Sequence, residues 1–159
     1  MQTVRTPAVA GLFYPADAAE LQAQVEHFLE CVEPSTEPPP KAIIAPHAGY
    51  VYSGPVAASA YARLRAVHDI IERVVLLGPS HRLGFRGIAV SNMAAFATPL
   101  GPIPVDQEAI EQIRYLPEVG CLEQAHAREH SLEVHLPFLQ AVLGAFKLVP
   151  VVVGDAHPF

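Results

Sequence analysis

Apolar residues recur at helical spacing from Leu21 through Val25 to Phe28 and Leu29, so residues 18 to 31 read as a helix that buries one face. Asp17 stands at its start as a side-chain cap, with Glu20 three residues on as in a capping box, and Pro34 ends it. Four prolines between Glu33 and Pro40 make the next stretch an extended surface connection. The pattern then changes to short unbroken apolar runs. Residues 41 to 45 and 73 to 78 read as buried strands, and residues 55 to 64 carry Val56, Ala57, Ala60, Tyr61 and Leu64 on one side of a helix between them. Strand, helix, strand implies a right-handed crossover with the strands parallel.

Residues 88 to 90 supply a third strand, followed by a proline-rich loop that excludes helix until Asp106. Asp106 caps a helix to about Tyr115, with Ile110 and Ile113 inward. Residues 131 to 143 form another, with Leu132, His135, Leu136 and Leu139 on one face; Pro137 kinks it or delays its start. Residues 147 to 153 form a last, β-branched strand. The alternation predicts an α/β layered fold, a mostly parallel central sheet flanked by helices, in a single domain over residues 1 to 159.

Composition narrows the function classes. Half the residues are apolar (51%) and only 16% charged, which excludes intrinsic disorder. A formal charge of -6 offers no phosphate-seeking surface, so nucleic acid is not an expected partner. Cys31 and Cys121 are too few for a disulfide framework, and no apolar run approaches the ~20 residues that span a bilayer. The start lacks the pattern of a signal peptide. Together these give an expected cytoplasmic protein without membrane contact.

Two histidines occupy equivalent places. His47 lies two residues past the first strand run and His81 four past Leu77 of the second, so both aim at the carboxyl edge of the sheet, where ligands bind in open α/β folds. Convergent neutral imidazoles suit a borderline metal such as Zn, Fe or Cu, and imidazole is also the usual general base. Residues 125 to 135 hold His126, Glu129, His130, Glu133 and His135. On a helix His126 and His130 would share a face, as would His130 and Glu133. Glu129 and His130 read either as residues of the site, the carboxylate behind a ligating imidazole, or as helix-start chemistry; His135 falls on the apolar stripe as a satisfied core histidine. Tyr52, Ser53, Ser80 and Arg82 lie near the same edge as pocket residues, although turn hydrogen bonding is the commoner use of the two serines. No dinucleotide, P-loop, nucleophile-elbow or HExxH motif is present.

At these residues the chain resembles the Memo-like family, whose bacterial and archaeal branch is called AmmeMemoRadiSam system protein B. The blocks that carry the resemblance are RTPAVAGLFYPAD, KAIIAPHAGYVYSGPVAASAY, RVVLLGPSHR, FATPLGPIPVD, AHAREHSLEVHLPFLQ and FKLVPVVVGDA, from Arg5 to Ala156. The resemblance implies a fold like that of the class III extradiol dioxygenases and a non-haem metal site. His47 and His81 match the family's two histidine ligands, and Glu129 and His130 fall in its acidic-histidine block as catalytic candidates. Family members continue past a VGDA-type strand into a half that holds a cysteine as third ligand, which neither Cys31 nor Cys121 matches. The chain is therefore expected to represent the N-terminal part of the family fold, a truncated product or a fragment. Two expectations follow: a metal-dependent oxidoreductase whose divalent metal (Fe, Cu or Zn) this chain alone holds weakly, acting on an unidentified small molecule, or a non-catalytic module that recognises a peptide or partner protein. An incomplete sheet would also leave an apolar edge that promotes self-association.

Overall fold

A computed structural model describes residues 3 to 155; Ala156, the last residue of the matching blocks, lies outside them. The chain runs β1 (Val4–Arg5), α1 (Ala18–Glu30), α2 (Tyr50–Tyr61), β2 (Arg73–Pro79), β3 (Ile88–Val90), β4 (Ala95–Thr98), β5 (Gly101–Pro104), α3 (Gln107–Glu111), β6 (Val119–Cys121), α4 (Glu123–Ala127), α5 (Leu136–Val142) and β7 (Lys147–Val153), with 3-10 turns at Ala62–Val67 and Glu133–His135. The central sheet has the order β2-β7-β3-β6, and a smaller one the order β1-β4-β5. The layered α/β reading holds, with mixed sheets: β2 and β3 run parallel to β7 and β6 respectively, but β3 meets β7 antiparallel. A parallel bridge from Val105 to Leu148 ties the two sheets together.

Helix α1 forms as its pattern dictates. Asp17 accepts the backbone N–H groups of Ala19 and Glu20, and Leu21, Val25 and Leu29 are buried. It packs on α2, where a side chain at Gly54 would place its Cβ 2.3 Å from the Phe28 ring. Helix α2 starts earlier than Pro55 suggested, because the Gly49 carbonyl accepts from Tyr52 and Ser53 and begins the turn. Pro137 falls in the first turn of α5 and does delay that helix, leaving a 3-10 turn before it. Asp106 caps α3 through the Ala109 N–H, but the helix ends at Glu111 rather than near Tyr115. The proline-rich loop conceals a hairpin, β4 and β5, whose turn at Gly101 has a positive φ. No helix among the described residues is long and apolar enough to cross a membrane.

One expected strand is absent. Residues 41 to 45 form no ladder, and Ile44 is fully exposed at 100%. Apolar character makes a strand only where a neighbouring backbone supplies its hydrogen bonds, and within the described residues β2 pairs with β7 alone. The buried strand expected at residues 73 to 78 is accordingly an edge strand, with Val75 at 57% and Leu77 at 59% exposure.

The core holds a buried charge network. Arg5 donates from its guanidinium to Glu133 (2.6 Å), to the His126 carbonyl (3.0 Å) and to the Glu129 carbonyl (2.7 Å). Glu133 also accepts the N–H groups of Ala8 and Val9 and the Tyr14 hydroxyl. Nearby, Tyr50 packs on Phe138, Tyr61 stacks on the same ring, and the Tyr61 hydroxyl pairs with His135 Nδ1 at 2.8 Å. His135 is thus a satisfied core histidine, as its place on the apolar stripe implied.

Two outcomes follow for stability. Glu133→Ala strands Arg5 and three donors inside the core, so chemical denaturation should show a loss of about 3–5 kcal/mol. Burial, aided by the charge of nearby His47, lowers the His135 pKa to about 4 from an ordinary 6.5. Between those values the unfolded chain binds a proton that the folded chain refuses, so this contribution is complete above pH 6.5 and is lost as pH falls to 4. At about 1.4 kcal/mol per unit the loss approaches about 3 kcal/mol. His135→Gln keeps an acceptor for Tyr61, and denaturation curves at pH 7 and 4.5 should differ less for it than for the wild type.

Candidate metal centre

Strand β2 delivers His81 to the site. The chain leaves the sheet at Pro79, and Ser80 folds its hydroxyl onto the Leu83 carbonyl, so this serine shapes the turn. Gly78 lets residues 131 and 132 approach the end of β2: a Cβ there would stand 2.7 Å from the Ser131 hydroxyl. That contact brings the segment after α4 against the His81 loop. Because α4 stops at Ala127, Glu129 and His130 lie off the helix, and His126 turns away to pair with the Ala89 carbonyl at 3.1 Å. The shared helical face for His126 and His130 is not formed.

Glu129 joins the two segments. Its carboxylate accepts the His81 backbone N–H at 2.6 Å and faces His81 Nδ1 at 2.9 Å, while also accepting the N–H groups of His130 and Ser131, both at 2.9 Å. The side chain is almost fully buried at 2% exposure. Burial raises its pKa, but the donors from His81 and Ser131 and the charge of His81 outweigh that and bring it down to about 2. It is a fixed anion at neutral pH. With Nδ1 engaged, His81 is left its Nε2 for a ligand.

His47 completes a cluster of imidazoles. Its ring centroid lies 5.2 Å from that of His81 and 6.0 Å from that of His130, and the His81 and His130 rings stack at 4.6 Å. Desolvation lowers the pKa of both His47 and His130, and the neighbouring His81 charge lowers each further, so their nitrogens are neutral near pH 7. His130 Nδ1 is buried without a hydrogen-bond partner. His81, Glu129 and His130 place potential ligand atoms within 4.8 Å of one another. A metal bound at ~2 Å by imidazole nitrogens sets ring centroids about 4.5–5.5 Å apart, which the His47–His81 and His81–His130 pairs meet and the His47–His130 pair, at 6.0 Å, exceeds. The donor set fits a borderline divalent ion.

The remaining expected residues divide. Tyr52, 85% exposed, lines a cleft together with His47, His130 and His135. Ser53 is buried and donates to the Ala48 and Gly49 carbonyls, so it holds the turn that carries His47 rather than facing a ligand. Arg82 is exposed beside the cluster, and its charge helps to lower the His130 pKa. The place of His135 in the cleft wall was missed; its spacing of five residues from His130 fits no single helix face and carried no signal. Nor did the sequence reveal Arg5, which sits 124 positions from the Glu129 carbonyl it holds.

Comparison with known proteins agrees with the blocks read above. The family model described as Memo-like protein matches residues 5–158. A MEMO1 family protein of Aquifex aeolicus is 47% identical over 152 residues, covering 94% of this chain and 55% of that relative. One from Sulfolobus acidocaldarius is 40% identical, covering 98% of this chain and 59% of its own. One from Methanothermobacter thermautotrophicus is 43% identical, over 93% and 56%. The chain spans a little over half the length of these curated relatives, and it belongs to the Memo-like family.

Proposed function

We propose that the chain carries a mononuclear metal centre built on His47, His81 and His130, serving an oxidoreductase reaction on a small molecule. The observation that carries this reading is the division of labour at Glu129. A carboxylate saturated by N–H donors and engaged with His81 Nδ1 is a poor ligand but a good anchor, and it presents the opposite nitrogen of His81 outward. His130 Nδ1 makes no hydrogen bond and has only the Glu129 carboxylate at 3.4 Å, which supports the same reading, since a buried polar atom left without a hydrogen bond costs about 1–3 kcal/mol.

Imidazole-bound Fe, Cu or Zn would supply Lewis acidity and, for the first two, electron transfer. The protein's own contribution is orientation and exclusion of protons. Neutral imidazoles at His47 and His130 keep their lone pairs available near pH 7, and the fixed charge of Glu129 offsets part of a divalent ion's charge. Three imidazole ligands would leave room on a bound ion for a substrate, and His47 and His130 both line the cleft that also holds Tyr52.

Calorimetric titration with Fe(II), Cu(II) and Zn(II) tests the assignment. His47→Ala, His81→Ala and His130→Ala should each weaken binding at least tenfold, and Glu129→Gln should weaken it about 10–100-fold through the misoriented His81. Wild-type affinity in the His81 variant would sink the centre.

A further inference from the structure

We infer that His135 offers its Nε2–H to the small molecule bound at the proposed metal centre, and that this molecule answers it with a carboxylate. The inference deepens the metal-centre reading and rests on it. His135 is 6% exposed, and the Tyr61 hydroxyl meets its Nδ1 at 2.8 Å. The direction of that bond follows from counting protons. Tyr61 is buried, and its hydroxyl has no other hydrogen-bond partner among the described residues. If Nδ1 carried the ring proton, the hydroxyl would accept it and leave its own proton without an acceptor. A hydroxyl that donates to Nδ1 leaves nothing unsatisfied, and burial pushes the phenol pKa up, so it keeps the proton it donates. The ring proton therefore sits on Nε2. Tyr61 stacks on Phe138, 6° from parallel with centroids 5.2 Å apart, which fixes the hydroxyl and with it the tautomer.

The core satisfies Nδ1 and leaves Nε2 unused. Nε2 makes no hydrogen bond to a described residue, and unlike His130 Nδ1 it is not sealed from solvent; His135 lines the same cleft as His47 and His130. Its ring stands 6.3 Å from that of His47 and close to perpendicular, at 76°. A molecule that meets a metal on His47 through this cleft passes the Nε2–H. The wall itself supplies no charged acceptor. None of the lining residues is Asp or Glu, although the chain has 16 of them, and Glu129 is spent on N–H groups. The charged residues that do line the cleft are Lys41 and Arg73, the second already paired with Asp106. A wall that offers donors and cations but no carboxylate favours an anion. A carboxylate also gains most from a fixed N–H, because charge-assisted hydrogen bonds are roughly twice as strong as neutral ones. The His135 ring, uncharged near pH 7, gives that bond without setting a further cation beside His47.

The test has a metal-free arm and a metal-loaded arm. In EDTA, proton–nitrogen correlation spectra of the imidazoles should show His135 protonated at Nε2, and Tyr61→Phe should release the ring into a mixture of tautomers. Protein loaded with Co(II), whose visible absorption reports what binds to it, is then titrated with butyrate as the carboxylate probe. His135→Leu should weaken butyrate binding about tenfold or more, the worth of one hydrogen bond to a charged acceptor. Tyr61→Phe should weaken it by a smaller factor. His135→Gln, whose amide accepts from Tyr61 and donates in place of Nε2, should stay within about threefold of the wild type. Co(II) affinity should be unchanged in all three. Circular dichroism follows folding, and His135→Gln and Tyr61→Phe carry the comparison if His135→Leu does not fold. A proton on Nδ1, no butyrate binding by the Co(II)-loaded wild type, or undiminished butyrate affinity in folded His135→Leu would overturn the inference. So would an equal loss in His135→Gln and His135→Leu, which would make shape rather than the hydrogen bond the cause. Absence of Co(II) binding by the wild type would overturn the metal-centre reading, and this inference with it.

Discussion

The ion pair between Arg5 and Glu133 is the constraint on which the rest of the molecule depends. It is buried on both sides, and every polar atom that it removes from water is answered: Arg5 by two backbone carbonyls as well as the carboxylate, Glu133 by two backbone N–H groups and the Tyr14 hydroxyl. A buried pair of this kind adds little net stability over a well-packed apolar alternative, because desolvation offsets its attraction. Its effect is to choose one arrangement. Arg5 holds the carbonyls of His126 and Glu129, and so sets the path of the segment between α4 and α5 against β1.

From there orientation passes outward in short steps. The Glu129 backbone is held by Arg5, its carboxylate holds His81 by main chain and ring, and His81 lies against His47 and His130. The first two steps are charge-assisted or backbone hydrogen bonds around buried groups, where such bonds are stronger and their loss more costly, and the last is ring contact. Gly78 serves the same end sterically by admitting Ser131 to the end of β2. A site assembled from three separate loops thus gains the rigidity normally expected of helices and strands.

This division explains how much was readable in the chain. Helix α1 was legible because its cap, its stripe and its stop are all local. His47 and His81 were legible as a pair because each follows an apolar run, even though only the second run is a strand here. Pro137 announced a disturbed helix start. The β4–β5 hairpin was hidden because prolines at its paired positions, Pro102 and Pro104, mask a strand of period two. The role of Glu129 stayed ambiguous between capping and ligand support because both uses place a carboxylate beside backbone N–H groups; in the structure it accepts those of His81, His130 and Ser131 and also faces His81 Nδ1. Arg5 and Glu133 lie 128 residues apart, and no periodicity connects them.

The one strand that was read and not found bears on the proposed metal centre. His81 and His130 are held through Glu129, whereas His47 follows residues 41 to 46, whose backbone has no ladder, and is anchored from the other side by Gly49 through Tyr52 and Ser53 and by the Tyr50 N–H on the Phe13 carbonyl. The three imidazoles are therefore unequally preorganised: two share a carboxylate-linked frame, and the third hangs at the end of an unpaired strand-like segment. Because a ligand's affinity falls with the cost of ordering its donors, a ligand that engages all three imidazoles meets that cost mainly at His47.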